Sequence, residues 1–228
     1  MKINRRQLLI GAGGAVVVLG AGAYYLSTKE SFALPFFSPP EPKFSMAAGS
    51  EMMVPGPLGE MSLGDANAPV TIIEYASMTC PHCQHFHATT YPELKSKYID
   101  TGKVRFIFRE FPLDQLATGA IMLARCTTPD KYFPMVDLMF DRQEDWAFVK
   151  DPGTALFNLV KQTGYTQDSF TACLQNQTVL DGVTAVRTRA STKFGVSSTP
   201  TFFINGQKVS GDVAIEDMDK IIQPLLPK

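Results

Sequence analysis

Two cysteines three positions apart, with a proline and a histidine between them, carry the chemistry this chain announces most clearly: Cys80-Pro81-His82-Cys83. On a helix that spacing brings two thiols one turn apart, the layout of a pair that can form and break a mutual disulfide. Proline suits a first helical position, where a missing N–H costs nothing. With Cys80 as N-cap and Pro81 as first helical residue, the first-turn N–H groups and the positive helix end face the Cys80 sulfur and favour its thiolate. Helix N-termini and Cys-x-x-Cys pairs are where thiol pKa values fall to about 3.5–7.5. His82 adds a charge or a hydrogen bond between the sulfurs. An ordinary structural disulfide is the plainer reading of the same pair.

The stretch also supports a rival of another class. Cys80, His82, Cys83, His85 and His87 place five potential metal ligands within eight residues and include every histidine of the chain. Zinc takes four N or S ligands from separated pairs that close a tetrahedron, whereas one short helix splays its side chains around the axis. A metal-binding protein using Cys80, Cys83 and His85 or His87 is therefore the alternative. The expectation is no metal and no cofactor, with His85 and His87 solvated. Gln84 stands where a c-type haem motif needs histidine.

Positioning such a pair needs a strand before it and a helix behind it. Val70-Thr71-Ile72-Ile73-Glu74-Tyr75 is apolar and β-branched and reads as a buried strand. Residues 81 to about 99 read as a helix stopped near Gly102, and 104–111 as a second buried strand. Between 113 and 195 helical periods predict four or five helices, punctuated by Asp151-Pro152, Gly164 and Gly195. Thr201–Ile204, Asn205-Gly206 and Gln207–Ser210 predict a hairpin with a type I′ turn, and a closing helix spans about 214–225. The order is βαβ, helices, ββα. Glu74 inside the apolar strand is either a solvent-facing edge residue or a buried carboxylate with a raised pKa, able to relay protons to Cys83. Pro200 opens a strand, where a missing N–H is tolerated. The run 141–145 reads as a solvated helix end, Trp146 as core, and Arg105 and Arg109 as candidates to border the site.

With 228 residues and net charge −1, the chain has room for one sizeable domain with an insertion and lacks the basic footprint of nucleic-acid binding. Residues 1–33 read as an export signal or a membrane anchor: basic Lys2, Arg5 and Arg6 precede an apolar stretch over 8–26, and Ser31-Phe32-Ala33 offers a cleavage site. Arg5-Arg6 also resembles a twin-arginine signal. Either way the bulk is expected outside the cytoplasm, in the periplasm or beyond, and the membrane is a partner if the segment stays uncleaved. The proline-rich 34–69 reads as a tether, with a short strand conceivable over 58–63. In an exported protein Cys126 and Cys173 are expected to pair, against the alternative of two separate buried thiols. Closing their loop would stabilise the fold by about 4 kcal/mol in the chain-entropy model.

Cys80-Pro81-His82-Cys83 at a strand-to-helix turn, with Ser198-Thr199-Pro200 ahead of a hairpin, resembles the thioredoxin superfamily and within it the DsbA-like thiol:disulfide oxidoreductases. The resemblance covers about residues 70–225. It implies an α/β thioredoxin fold with a mixed central sheet over 70–112 and 196–228, and an all-helical domain inserted over 113–195. It implies Cys80 as nucleophile, Cys83 as resolving thiol, Glu74 as the buried acid, a cis Pro200 facing the pair, and Thr199, Pro200 and Pro81 lining a groove that reads backbone. Thr199 stands where some strong oxidases of that family carry valine. Some members carry a second, structural disulfide, as Cys126–Cys173 would be. The implied partners are reduced, folding exported proteins and a quinone-linked, DsbB-like membrane oxidase as reoxidant. A disulfide isomerase or reductase on the same fold is the nearer alternative.

Overall fold

The computed structural model describes residues 51–227. The signal or anchor expected over 1–33 and residues 34–50 of the tether expected over 34–69 lie outside the described residues. Among the described residues, no helix is long and apolar enough to cross a membrane.

Five strands make one mixed sheet in the order β1-β3-β2-β4-β5. They are β1 (Met61–Leu63), β2 (Val70–Ala76), β3 (Val104–Glu110), β4 (Thr201–Ile204) and β5 (Gln207–Ser210). β2 and β3 run parallel in register from Val70 opposite Val104 to Ala76 opposite Glu110. β4 is antiparallel to β2, and β5 to β4. The Asn-Gly turn between β4 and β5 has positive φ at both residues, 44° at Asn205 and 89° at Gly206, as a type I′ hairpin requires.

β2 is buried on both faces, which explains its nearly unbroken apolar run. Ile73 and Tyr75 pack with Ile107, Phe203 and Phe194 on one side. Ile72 and Ala76 pack on the other with Phe86, Phe106, Phe108 and Phe202. The second face carries α1 (Pro81–Thr89), which joins β2 to β3. The single helix expected over 81–99 breaks at Thr90 into α1, a short α2 (Tyr91–Leu94) and a wide π-type turn over Lys95–Ile99. Pro92 is the cause: its nitrogen donates nothing, and its ring crowds the carbonyl four residues back. The chain then turns at Gly102, with φ 72°.

The inserted region holds α3 (Gln115–Arg125), α4 (Pro129–Asp141), α5 (Gln143–Trp146), α6 (Pro152–Lys161), α7 (Gln167–Leu174) and α8 (Gln177–Phe194). That is one more than the four or five expected, because Arg142 leaves helical geometry and separates α4 from the single turn α5. Asp114, Asp151, Thr166 and Asn176 cap four of these helices with side-chain oxygens. Cys126 and Cys173 are joined by a disulfide across α3 and α7, with Cα atoms 6.1 Å apart. α9 (Ile215–Ile222) closes the chain.

Part of the segment expected to be a tether is built into the sheet. β1 pairs antiparallel with β3, and Met52 is buried against the face that carries Tyr75. Glu60 meets the Arg109 guanidinium at 2.5 Å, with side-chain exposures of 9% and 1%. Arg109 also donates to the Tyr75 hydroxyl at 3.0 Å. It braces the sheet edge rather than bordering the cysteines. Sequence reading missed this because the charge that holds the segment lies on a strand 49 residues away.

Removing one partner of a buried ion pair leaves the other charge uncompensated, at a cost of about 3–5 kcal/mol. Glu60→Ala is therefore expected to destabilise the protein by about 3 kcal/mol in urea unfolding, and a change under about 0.5 kcal/mol would show the pairing to be dispensable.

Candidate active site

The sheet register brings the two motifs of the sequence together. β2 ends at Ala76 and β4 begins at Thr201, opposite Tyr75, so the loops 77–80 and 198–200 leave the same end of the sheet side by side. Cys80 is the N-cap of α1, extended at φ −85° and ψ 119°, with Pro81 first in the helix. As a thiol its Sγ donates to the Thr199 carbonyl oxygen at 3.3 Å. The Thr199–Pro200 peptide is cis, and both residues are buried.

The two sulfurs occupy opposite environments. Cys80 is pulled from an ordinary thiol value of 9.0 down to about 5. The largest cause is the hydrogen bond it receives from the Cys83 thiol. Burial opposes it, while the N–H groups of Cys83 and His82 add to it. Those amides are the unpaired donors of the first helical turn. Cys83, fully buried in the apolar cluster, is pushed well up: first by desolvation, then by its bond to Cys80, then by the charge of Glu74. One thiolate and one thiol is thus the stable form of the reduced pair. Pro81 and His82 are exposed, and His82 contributes its backbone N–H.

Glu74 is buried, not a solvent-facing edge residue, at 0% exposure between Phe108 and Phe202 in the neighbouring strands. Its Oε2 lies 2.9 Å from Nε2 of His87. His87 was expected to be solvated and is not: it follows Cys83 by four residues, so both face the core, and its ring stacks on Phe140 with centroids 4.3 Å apart. His85 is exposed as expected, with Nδ1 2.5 Å from Asp212. The rival metal reading loses its geometry here. His87 and Cys83 point inward while His82 and His85 point outward, and among the described residues no group of three His, Cys, Asp or Glu could hold a metal ion.

A family model described as thioredoxin matches residues 58–224. The chain belongs to the thioredoxin family. The thioredoxin-family resemblance read from Cys80-Pro81-His82-Cys83, and its DsbA-like shade, are borne out. A structure of alpha-DsbA1 from Wolbachia pipientis superposes with a TM-score of 0.71 at 33% identity, covering 78% of this chain and 95% of that one. A Rickettsia conorii relative with the provisional name protein-disulfide oxidoreductase is 32% identical over 173 residues, 73% of this chain and 60% of the relative. Disulfide bond formation protein D of Bacillus subtilis is 25% identical over 174 residues, covering 72% and 76%. The chain spans about 60% of the length of the rickettsial relatives it matches.

The thioredoxin-family site leans on the helical insertion through a residue that sequence reading passed over. Gln143, inside the run read as a solvated helix end, is buried, and its Nε2 donates to the carbonyl oxygens of Met78 at 2.8 Å and Cys80 at 3.1 Å. The available signal was spacing: Met139, Gln143 and Trp146 fall at helical intervals, and the outer two are core. Asp114, the cap of α3, accepts from Thr79 at 2.6 Å and ties the same turn from its other side.

Two outcomes are expected. Thiolate absorbance and iodoacetamide alkylation of Cys80 titrate with a midpoint near 5. Because that pKa is depressed on folding, its contribution to the dithiol form is fully present above about pH 9 and is lost as pH falls toward 5. Urea unfolding of the reduced protein should show this loss relative to the disulfide form, and a flat difference would contradict it.

Proposed function

We propose that this protein is an exported thiol:disulfide oxidoreductase that introduces disulfide bonds into newly exported proteins through Cys80 and Cys83. The observation that carries the reading is the asymmetry of the pair: Cys80 sits at a helix N-terminus beside Thr199-Pro200 with its pKa near 5, and Cys83 is buried with its pKa raised. In the disulfide form a substrate thiolate attacks Cys80 Sγ, and the bond to Cys83 breaks with its electron pair left on Cys83, which takes a proton. A second substrate thiolate attacks the substrate sulfur of the mixed disulfide and expels Cys80 as a stabilised thiolate. Two electrons pass from substrate to the pair, and stabilising the departing thiolate drives that direction.

Thr199 and Pro200 line the approach to Cys80, where an extended substrate segment would bind through its backbone. Such recognition demands little of the substrate's sequence and suits a broad set of reduced, folding partners. The Cys126–Cys173 bond supports an oxidising compartment, since stable disulfides are uncommon in reducing ones. Export and any anchoring rest on residues 1–33, and a quinone-linked, DsbB-like membrane oxidase would return the pair to the disulfide state.

Equilibration with glutathione should place the Cys80–Cys83 couple well above thioredoxin's potential of about −270 mV, with Cys80→Ser abolishing oxidation of a reduced, unfolded substrate. A potential near thioredoxin's, with the pair reduced in cells, would mean a reductase or isomerase instead.

A further inference from the structure

Glu74 and His87 form a buried acid–base pair that the exchange steps above leave unused. Their side chains are 0% and 4% exposed, and Nε2 lies 2.9 Å from Oε2. Among the described residues, the other oxygen, Oε1, and the other ring nitrogen, Nδ1, have no hydrogen-bond partner. Cys83 lies one helical turn before His87 on the same buried face of α1, and the Glu74 charge acts on it directly.

We propose that His87 is a positioning residue for disulfide exchange, holding Glu74 charge-compensated in the core so that the pair trades one proton with Cys83 each turnover. This rests on the exchange function proposed above.

A lone carboxylate and a thiolate buried together would put two like charges in an apolar core, at a cost of several kcal/mol per ion. His87 removes one of them. When the disulfide breaks, Cys83 carries the electron pair as a thiolate and takes one proton from the pair, which passes from imidazolium–carboxylate to imidazole–carboxylate. The three buried groups total −1 before and after. In the return direction the Cys83 thiol gives its proton back as its sulfur attacks the mixed disulfide on Cys80, and the departing thiolate keeps the electron pair. The groups facing this pair are Cys83 from α1, Tyr91 from α2, whose ring centroid is 4.8 Å from that of His87, and Asp137 from α4, whose carboxyl burial holds above its usual range despite the attraction of His87. β3 presents Phe108, which carries no charge.

The test uses the full chain with Cys80 held as a mixed disulfide with glutathione, following its resolution by Cys83 in stopped flow from pH 6 to 9. The wild-type rate is expected to change little with pH. His87→Gln should be at least about tenfold slower at pH 7, in the range of lost acid–base assistance. It should climb about tenfold per pH unit as hydroxide replaces the internal base. His87→Phe, which can still stack on Phe140, should behave as the glutamine variant does. Iodoacetamide should alkylate Cys80 at rates within about twofold in all three. Wild-type resolution speed in both variants would overturn the proposal, as would a wild-type rate that itself rises tenfold per pH unit; the latter decides the matter even if the variants do not fold. A wild-type protein that exchanges with no thiol would instead defeat the functional reading.

Discussion

The opposite electrostatic surroundings of two buried sulfurs one helical turn apart are the constraint on which the rest of this structure depends. Cys80 must sit buried against the unpaired amides of the helix start, and Cys83 must sit one turn behind it, deeper in the core. Both conditions follow from starting a helix at Pro81 directly over a strand buried on both faces. If β2 ended a residue later, the side-chain alternation of the strand would carry Glu74 to the opposite face, away from Cys83. Register is therefore as much a part of the site as the cysteines are. β2 is held from both sides, by seven paired positions against β3 and four against β4.

The helical insertion and the segment before β1 serve the same register from outside. Gln143 and Asp114 fasten the turn that delivers Cys80, while Glu60 and Arg109 close the far edge of β3. Arg125, at the end of α3, pairs with buried Glu110 at the end of β3, and Tyr132 from α4 donates to the same carboxylate at 3.3 Å. Apart from the exposed Asp114–Thr79 bond, these polar ties are buried, and all are directional, so they fix relative placement in a way that apolar packing alone does not. Removing a partner from any of the buried ones would leave an uncompensated buried group rather than a loosened surface contact.

Those features that depend on local chemistry were legible in the sequence. The strand over 70–75, the proline-started helix, the Asn205-Gly206 hairpin and the Cys-x-x-Cys pair each follow from backbone preferences within a few residues. What was not legible depends on partners distant in the chain. His87 and Gln143 are polar residues on helices, and polarity alone assigns them to solvent. The contact with Glu74 and the stack on Phe140 make the burial of His87 favourable, and the carbonyls of Met78 and Cys80 that of Gln143. The proline-rich composition of 34–69 argued for a tether with a short strand conceivable over 58–63; Met61–Leu63 form that strand, but its partner was not readable, because an edge strand can pair through its backbone whatever its side chains are. The extra helix was hidden for a smaller reason: Arg142 breaks the helical path without the Gly or Pro that would mark the break.

Stability and reactivity at this site are opposed by construction. Each contact that stabilises the Cys80 thiolate stabilises the dithiol form, because the disulfide form has no thiolate to receive it. A thermodynamic cycle then requires that the same contacts make the disulfide easier to reduce, in proportion to their strength in the folded state. The first-turn amides and the Cys83 thiol thus act twice, once as helix structure and once, in the exchange proposed above, as the driving force of electron uptake. Burial of Cys83 works in the same direction, since it keeps the second sulfur protonated and so keeps one donor aimed at the first. The disulfide form, lacking these bonds, must be held in shape by groups that do not change with redox state. Gln143, Asp114 and the paired strands are of that kind: they grip carbonyls and hydroxyls of the backbone turn and leave the sulfurs free to change partners.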